Sequence, residues 1–209
     1  MTRRGKFIVI EGIEGVGKST QLRRLSEHLT ALGVEHICTR EPGGTPVAEQ
    51  IRDIFLSDHE QERLTAWSEV LLVFAARAQH IETCIEPALV QGKWVLCDRF
   101  TDASCAYQGA GRGLGVDTVE ALEALVLNRF KPDKVVLLHM PVADALARLL
   151  ARTKRDRMDQ ESIEFYERVQ AAYFDRAQKH PQRYLLIDAS EPEAIVSKRL
   201  MQVLLTVYF

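Results

Sequence analysis

Apolar residues occur in five short runs, which are separated by longer stretches of helical spacing. The runs are Lys6–Glu11, Val34–Thr39, Trp94–Asp98, Lys134–Met140 and Arg183–Asp188. Short runs rich in Val, Ile and Leu predict strands that are buried on both faces. Strands that alternate with helices favour a parallel sheet covered on both sides. The pattern therefore predicts an α/β fold, with a five-stranded parallel sheet flanked by helices on both faces.

The stretches between the runs predict the helices. Leucines recur with helical spacing from Lys18 to Leu32, and Gly33 suits the position just after a last helical turn. Thr45 and Pro46 suit the start of the next helix. The predicted helices span Lys18–Leu32, Pro46–Leu56, Ala66–Val90, Asp117–Arg129, Val142–Ala151, Gln160–Lys179 and a last segment from Glu191. No repeat or linker divides the pattern, so residues 1–209 are predicted to form one domain.

A glycine-rich segment joins the first predicted strand to the first predicted helix. Gly12 is followed after four residues by Gly17, Lys18 and Ser19, the pattern of a loop that wraps phosphates. Backbone N–H groups and the helix N-terminus favour an anion there, and the lysine is placed for the β/γ-phosphates. The predicted nucleotide contacts are Gly12, Ile13, Glu14, Gly15, Val16, Gly17, Lys18, Ser19 and Thr20. The loop alone does not separate a kinase from a GTPase, an ATPase motor or a regulatory protein.

Asp98 ends the third predicted strand. A carboxylate at the end of a strand binds Mg2+ in many phosphate-loop proteins, together with the hydroxyl of the loop. Ser19 and Asp98 are therefore the predicted metal ligands. The alternative is a strand-end aspartate that pairs with Arg99.

Composition narrows the environment and the partners of the chain. The 209 residues are 46% apolar and 27% charged, with a net charge of −2. There is thus no overall basic field that would favour nucleic acid or a membrane. Four cysteines, two of them in predicted buried strands, lack zinc-ligand spacing and suit free thiols in a reducing compartment. They are Cys38, Cys84, Cys97 and Cys105. With no signal-peptide pattern and no run long enough to span a bilayer, we expect a cytoplasmic protein.

Three further clusters predict a second ligand at the same edge of the sheet. They are TREPGGT (Thr39–Thr45) with Arg52 behind it, FAARAQH (Phe74–His80) and DRFTDASCAYQGAGRG (Asp98–Gly113). Arginines can hold a phosphate, an aromatic ring can stack on a base, and an amide can read the edge of that base. Taken singly, Phe74 could be core, Arg77 could belong to a surface ion pair, and the glycines could form a turn.

Taken together, these segments resemble the bacterial thymidylate kinases over nearly the whole chain. The motifs that carry the resemblance are EGIEGVGKST, TREPGGT, FAARAQH, DRFTDASCAYQGAGRG and DRMDQES (Asp156–Ser162). REPGGT and AYQG, combined with the phosphate loop, are specific to that family among nucleoside monophosphate kinases. The resemblance implies transfer of the γ-phosphate of ATP to dTMP with Mg2+, by a homodimer with a five-stranded parallel sheet.

The resemblance also implies a role for individual residues. The implied substrate contacts are Arg40, Arg52, Phe74, Arg77, Arg99, Ser104, Tyr107 and Gln108, and the implied catalytic residues are Lys18, Arg152, Glu14 and Arg99. Arg99 would hold the dTMP phosphate with Arg52 and Arg40, and Arg77 would bond the thymine edge. Tyr107 would occupy the space of a 2′-OH. Glu14 would orient the arginines and align the acceptor, whereas Glu11 would be structural.

Basic residues crowd the segment after the fourth predicted strand. They are Arg148, Arg152, Lys154, Arg155 and Arg157. A run of this kind can simply be the solvated face of a helix. The resemblance instead implies a mobile lid near 148–160, in which Arg152 supplies the cation that the loop lacks because Glu14 stands in it. The chain departs from the family here, since Thr153 follows where a glycine is usual.

A second departure concerns the ring that stacks on thymine. Many family members place it four residues before the base-reading arginine, where this chain has Val73, and Phe74 stands three residues before Arg77. We expect Phe74 to face the base after a small rotation of the helix. The alternative is that Val73 makes only apolar contact and Phe74 is core.

Two rival functions remain open from the residues alone. One is a kinase for another nucleoside monophosphate or for a deoxynucleoside. The other is a phosphate-loop regulatory protein without turnover, against which the intact Lys18, Ser19 and Asp98 argue. Weak use of dUMP is also open, because one methyl group in a pocket is worth only about 1–3 kcal/mol.

Overall fold

The structure is a computed structural model that describes residues 4–57, 62–128, 130–151 and 157–208. Its strands are β1 (Phe7–Glu11), β2 (His36–Arg40), β3 (Trp94–Asp98), β4 (Lys134–His139) and β5 (Tyr184–Asp188). All neighbouring strands are parallel, and the order across the sheet is β2-β3-β1-β4-β5. The predicted fold class is confirmed, and β3 has the bounds that the sequence predicted.

Helices connect the strands. They are α1 (Lys18–Ala31), α2 (Pro46–Leu56), α3 (Ala66–His80), α4 (Glu86–Val90), α5 (Thr101–Ser104), α6 (Val116–Leu127), α7 (Val142–Leu150), α8 (Ile163–Lys179) and α9 (Glu193–Tyr208). Two π-helical segments, Ile81–Ile85 and Cys105–Gly111, and a 3-10 turn, Arg157–Gln160, complete the described elements. Within the described ranges, no helix has the length and apolar character needed to cross a bilayer.

Local sequence signals set several helix ends. The Thr45 hydroxyl accepts a hydrogen bond from the Ala48 N–H at 3.3 Å, and Pro46 begins α2. This cap satisfies one of the N–H groups that a first turn leaves without a partner. Gly33 follows α1 with φ 70°, a backbone conformation that glycine adopts without strain.

Two segments differ from the helices predicted from the sequence. The predicted helix Ala66–Val90 contains a π-helical turn at Ile81–Ile85 between α3 and α4. No helix was predicted from Thr101 to Gly111, where the glycines could have formed a turn, but the segment is helical. Close packing explains it, because a Cβ on Gly111 would lie 2.6 Å from the Phe165 ring of α8. Gly111 therefore lets this helix approach α8.

The two cysteines of the sheet differ in their exposure to solvent. Cys97 on β3 is buried, whereas Cys38 on β2 is exposed, so the expectation that Cys38 is buried was wrong. The reason is the strand order, which puts β2 at the edge of the sheet. All four cysteines are free thiols in the structure.

Candidate active site

A cavity of about 370 Å³ opens at the carboxyl ends of β1, β2 and β3. The phosphate loop and all three clusters predicted to bind the second ligand contribute to its wall. Predicted site residues that line it are Glu14, Gly17, Lys18, Ser19, Arg40, Arg52, Arg77, Asp98, Arg99, Ser104, Tyr107 and Gln108. The topology thus brings together residues that are up to about ninety positions apart in sequence, as expected for the carboxyl edge of a parallel sheet.

The phosphate loop depends on glycine at two positions of close approach. A Cβ on Gly15 would lie 1.9 Å from the carbonyl oxygen of Ala145, and one on Gly12 would lie 2.3 Å from that of Leu138. Both glycines also have positive φ, at 80° and 135°. Any side chain there would displace the loop from β4 and α7, so this loop shape requires both glycines.

Lys18 is buried at the first position of α1. Its Nζ donates to the carbonyl oxygen of Ile13 at 2.8 Å. Burial lowers its pKa to about 8, although the carboxylates of Asp98, Glu14 and Glu11 oppose that shift. An ammonium that is poorly compensated in the absence of ligand is suited to bind an anion.

Ser19 and Asp98 meet at the base of the loop. The Ser19 hydroxyl donates to Asp98 Oδ2 at 3.2 Å, and Asp98 Oδ1 is buried without a hydrogen-bond partner among the described residues. Mg2+ prefers oxygen ligands and keeps several waters and phosphate oxygens, so this pair fits that ion. In the described part of the chain, no three His, Cys, Asp or Glu side chains converge as a metal cage. The alternative pairing of Asp98 with Arg99 is not favoured, because Arg99 pairs with Glu14.

Glu11 holds the backbone that follows β3. One carboxylate oxygen accepts from the Phe100 N–H and the other from the Tyr173 hydroxyl, both at 2.7 Å. Burial raises its pKa to about 7, and the charge of Asp102 adds to that effect. Both carboxylate oxygens bond within the protein interior, and Glu11 does not line the cavity.

Glu14, three residues later, lies in the cavity wall. It forms an ion pair of 2.5 Å with Arg99 and accepts a hydrogen bond from the Tyr107 hydroxyl. The Arg99 guanidinium lies over the Tyr107 ring, with 4.9 Å between its central carbon and the ring centroid. The two glutamates of the loop therefore differ, since Glu14 orients cavity residues and Glu11 braces the fold.

Arg99 has an unusual backbone. Its φ is 69°, in the left-handed region that a residue with a side chain rarely adopts. Its N–H bonds the carbonyl oxygen of Ile10 at 3.0 Å, and the next N–H, that of Phe100, bonds Glu11. These bonds hold the turn that places the guanidinium between the phosphate loop and Tyr107.

Unmatched polar atoms mark the far wall of the cavity. Arg77 donates from Nε to Glu41 at 2.6 Å and from one terminal nitrogen to the carbonyl oxygen of Phe100 at 3.0 Å. In the part of the chain that the structure describes, its other terminal nitrogen is buried without a hydrogen-bond partner, and so is the hydroxyl of Ser104. Buried polar atoms are seldom left unsatisfied in proteins, so these atoms point to a polar ligand.

The structure favours the alternative to the prediction that Phe74 faces the base. Phe74 is buried and does not line the cavity, whereas Val73 does. The ring packs against Arg77, with its centroid 4.7 Å from the guanidinium carbon. The buried Arg77 forms an ion pair with Glu41, and the Phe74 ring packs against its guanidinium. Aromatic surface in the cavity wall comes instead from Phe55, Phe100 and Tyr107.

Arg40 and Arg52, which were expected to assist Arg99 at the phosphate of the second ligand, line the cavity from the β2 side. Arg40 pairs with Glu49 at 2.7 Å, and Arg52 donates to the carbonyl oxygen of Pro42 at 2.8 Å. Both side chains already hold part of the TREPGGT segment in place. Arg152, Lys154 and Arg155 lie outside the described residues.

Several residues at the site were missed from the sequence. Glu69 of α3 is buried and accepts from Gln108 at 3.3 Å, Arg112 at 3.1 Å and Arg157 at 2.6 Å. Its acidic side chain among the apolar positions of a helix was the available signal. Glu41 and His80 were likewise missed, although both stand inside motifs that were singled out.

The strand order, the phosphate loop that leads from β1 into α1 and the second polar wall define a nucleoside monophosphate kinase of the phosphate-loop type. Comparison with known proteins agrees, since a family model described as thymidylate kinase matches residues 10–200. The chain belongs to the thymidylate kinase family of enzymes.

Individual relatives cover almost the entire chain. The thymidylate kinase of Pseudomonas fluorescens is 52% identical over 196 residues, which are 94% of this chain and 93% of that protein. That of Teredinibacter turnerae is 48% identical over 200 residues, which are 96% of this chain and 97% of that protein. A crystal structure of thymidylate kinase from Ehrlichia chaffeensis has a TM-score of 0.76 and 33% identity, and covers 96% of this chain and 98% of that chain.

Proposed function

We propose that this protein transfers the γ-phosphate of ATP to dTMP, giving dTDP and ADP in the synthesis of dTTP. One observation carries the proposal: a single cavity contains the phosphate loop at one end and a wall with unmatched donors, Arg77 and Ser104, at the other. A donor nucleotide and an acceptor nucleotide can therefore meet in one cavity.

On the donor side, the phosphate loop and Lys18 bind the ATP phosphates. Lys18 shifts from the carbonyl oxygen of Ile13 to the β/γ-phosphates, whose charge favours the protonated ammonium. Ser19 and Asp98 hold Mg2+, which when bound neutralises charge that develops on the phosphate oxygens. The unmatched Oδ1 atom of Asp98 supports this assignment.

On the acceptor side, Arg99 binds the dTMP phosphate with help from Arg40 and Arg52. Glu14 holds Arg99 in position before the nucleotide arrives and then aligns the acceptor, so the phosphate shares a cation that is already oriented. Burial alone would lower the pKa of Arg99, but the charge of Glu14 raises it above its ordinary value, and the guanidinium stays protonated.

The base and the sugar are recognised at the far wall. The free nitrogen of Arg77, the Ser104 hydroxyl and the Gln108 amide bond the thymine edge, and Val73 replaces the ring that many relatives place against the base. Tyr107, fixed by its bond to Glu14, occupies the space of a 2′-OH. The 2′-OH of a ribonucleotide would contact Tyr107 and would lose its hydration there, so both effects exclude ribonucleotides.

We also propose that residues near 148–160 close over ATP as a lid and that Arg152 supplies the remaining cation. This role rests on the sequence, because Arg152 lies outside the described residues. The Arg152→Ala variant should lower kcat by roughly 10³-fold while changing the KM for dTMP little. A kcat near that of the parent would point to another cation of the basic segment.

The function is tested by a coupled assay for ADP with ATP, Mg2+ and a panel of acceptors. We expect dTMP to give the highest kcat/KM among dTMP, dUMP, dCMP, dAMP, dGMP and thymidine. A higher kcat/KM with another monophosphate, or with thymidine, would overturn the choice of substrate. Release of ADP that does not depend on any acceptor would overturn the transfer reaction.

The exposed apolar surface supports a homodimer. Packed helices α2 and α3 expose Val47, Ile54, Trp67 and Leu71. Exposed apolar side chains on neighbouring helices are often covered in assemblies of identical subunits. Light scattering should give twice the monomer mass, and Leu71→Glu should shift that mass to the monomer, whereas Val90→Glu should not. The free thiols support a location in the cytoplasm.

A further inference from the structure

His80 is fully buried at the end of α3, yet the proposed mechanism gives it no role. Its Nδ1 lies 3.1 Å from an oxygen of Glu41, and its Nε2 lies 2.7 Å from the Thr39 hydroxyl. His80 does not line the cavity, so it cannot touch a substrate there. Any effect on the reaction must pass through a neighbour.

Glu41 is that neighbour. One carboxylate oxygen meets His80, and the other accepts from Arg77 Nε at 2.6 Å. The Glu41 N–H also bonds the carbonyl oxygen of Asp98 at 2.9 Å, which ties its backbone to the end of β3. With both oxygens and the backbone engaged, the carboxylate is fixed in its orientation.

The carboxylate in turn decides where the guanidinium of Arg77 points. A guanidinium is planar, and its donors have fixed directions. Two of its three nitrogens are held, by Glu41 and by the carbonyl oxygen of Phe100, so the third is aimed by the same two bonds. That third nitrogen is the buried donor without a partner beside the cavity.

Gly44 completes the arrangement from the other side of His80. A Cβ on Gly44 would lie 2.3 Å from His80 Nε2 and 2.4 Å from the Thr39 hydroxyl. The backbone of the loop after β2 therefore lies directly against the imidazole, which leaves the ring little freedom to rotate.

We propose that His80 and Glu41 are positioning residues that aim Arg77 at the base of the acceptor nucleotide. The inference rests on the proposed function, because it assigns Arg77 to the thymine edge. It predicts that loss of the bond between His80 and Glu41 weakens acceptor binding and base selection, whereas loss of the bond between His80 and Thr39 does not.

Two substitutions separate these bonds. In His80→Asn the side-chain amide lies near the position of Nδ1, so the variant can still donate to Glu41 but does not reach Thr39. In His80→Gln the longer amide reaches the position of Nε2, and the bond to Glu41 is lost. Thr39→Val removes the hydroxyl alone and is the matched control.

The expected result is a KM for dTMP that rises about tenfold in His80→Gln and stays within about twofold of the parent in His80→Asn and Thr39→Val. The KM for ATP and kcat should be little changed in all three. The ratio of kcat/KM for dTMP to kcat/KM for dCMP should fall in His80→Gln alone. The donor of Arg77 favours thymine, which has a carbonyl acceptor where cytosine has an amino donor. Equal effects in both His80 variants, or no effect in His80→Gln, would overturn the proposal.

Thermal denaturation shows whether each variant is folded. If His80→Gln does not fold, Glu41→Gln tests the next bond, the one between Glu41 and Arg77. This variant keeps the shape of the side chain and removes the charge that holds Arg77, so it should raise the KM for dTMP. A KM for dTMP equal to that of the parent in folded Glu41→Gln would overturn the proposal.

The parent assay separates this inference from the proposed function. If the parent prefers another monophosphate, the choice of dTMP fails, and the same variants are then compared with that acceptor. If the parent uses dTMP and the His80 variants do not differ, only the positioning role fails.

Discussion

Two buried arginines occupy different regions of this molecule and are bonded in different ways. Arg176 of α8 is 3% exposed and donates from all three nitrogens to carboxylates, at 2.5 Å to Asp102, 2.7 Å to Glu120 and 3.1 Å to Glu123. Arg77 is 1% exposed and has one carboxylate partner, one carbonyl partner and one nitrogen with none.

The difference distinguishes charges that hold the fold from charges that await a ligand. Arg176 joins α5, α6 and α8, and each of its three nitrogens has a carboxylate partner. Arg77 lines the cavity and has one nitrogen without a hydrogen-bond partner among the described residues. Asp98, in the same cavity, likewise has one oxygen without a partner there, and burial lowers the pKa of the Lys18 ammonium. Burial alone does not separate these two arginines, whereas a count of their bonded nitrogens does.

The largest expected effect comes from Lys18→Met, which removes the undersatisfied ammonium of the phosphate loop. We expect kcat to fall by roughly 10³-fold or more, because the phosphates lose their nearest fixed cation. We also expect the free enzyme to become more stable to urea at pH 7.

The pH dependence of that gain follows from the depressed pKa of Lys18. The pKa is about 8 in the folded protein and 10.5 in an exposed lysine, so charge on Lys18 disfavours the fold at pH values below about 8. The parent should therefore gain stability as pH rises from 8 to 10.5, and Lys18→Met should lack this gain. Urea titrations at pH 7 and pH 9 measure it, and equal gains in both proteins would contradict the argument.

Arg176→Met should show the opposite behaviour, a loss of stability without a loss of chemistry. We expect the free energy of unfolding to fall by about 3–5 kcal/mol, because the buried Asp102 loses its nearest cation and keeps only the more distant Arg183, at 3.7 Å. The kcat/KM for dTMP, corrected for the folded fraction at low temperature, should stay within about threefold of the parent.

Arg23→Met is the control for Arg176→Met, since Arg23 pairs with Glu27 on the exposed face of α1. Its effect on stability should be within about 0.5 kcal/mol. A large loss of kcat/KM in folded Arg176→Met would end the distinction between the two regions.

Arg77→Lys tests the directional donor at constant charge. An ammonium can still pair with Glu41, but it cannot give a planar second donor to the base. We expect the KM for dTMP to rise by roughly 30-fold, with the KM for ATP unchanged. Arg176→Lys is the matched control and should leave the KM for dTMP within about twofold of the parent.

Glu11→Gln tests a buried charge that holds the fold, through a smaller, pH-dependent effect on the free energy of unfolding. Burial and the charge of Asp102 raise the pKa of Glu11 to about 7 in the folded protein, above the 4.5 of an exposed glutamate. The folded state thus binds more protons than the unfolded state between these values, and the parent should lose stability as pH rises from 4.5 to 7. Glu11→Gln should flatten that decline. Urea denaturation across this pH range measures it, and parallel curves for the two proteins would show that Glu11 does not titrate there.

Much of the fold follows from local sequence signals. The strands are short apolar runs, α2 begins at a capping threonine, and the phosphate loop lies between a strand and a helix. Each of these elements is therefore specified by residues that are close together in sequence. The helix from Thr101 to Gly111 was not predicted, because the glycine at its end, Gly111, is required by Phe165 of α8, more than fifty residues away.

The candidate site was predicted only in part, for a related reason. Which residues gather at the carboxyl edge of the sheet follows from their place after each strand. Which of them meet the cavity depends on helix rotation, and here Val73 lines the cavity where Phe74 was expected to do so. Glu41, Glu69 and His80 bond partners that are distant in sequence, and no local pattern indicates such pairs.

The left-handed turn at Arg99 has a consequence for protein engineering. Its side chain reaches the phosphate loop from a backbone conformation that costs of order 1 kcal/mol or more for a residue other than glycine. The bonds to Ile10 and Glu11 on the neighbouring strand offset that strain. A designer who transplants this site into another parallel sheet must therefore carry over the turn and its two anchors, because an arginine on a relaxed backbone would project elsewhere.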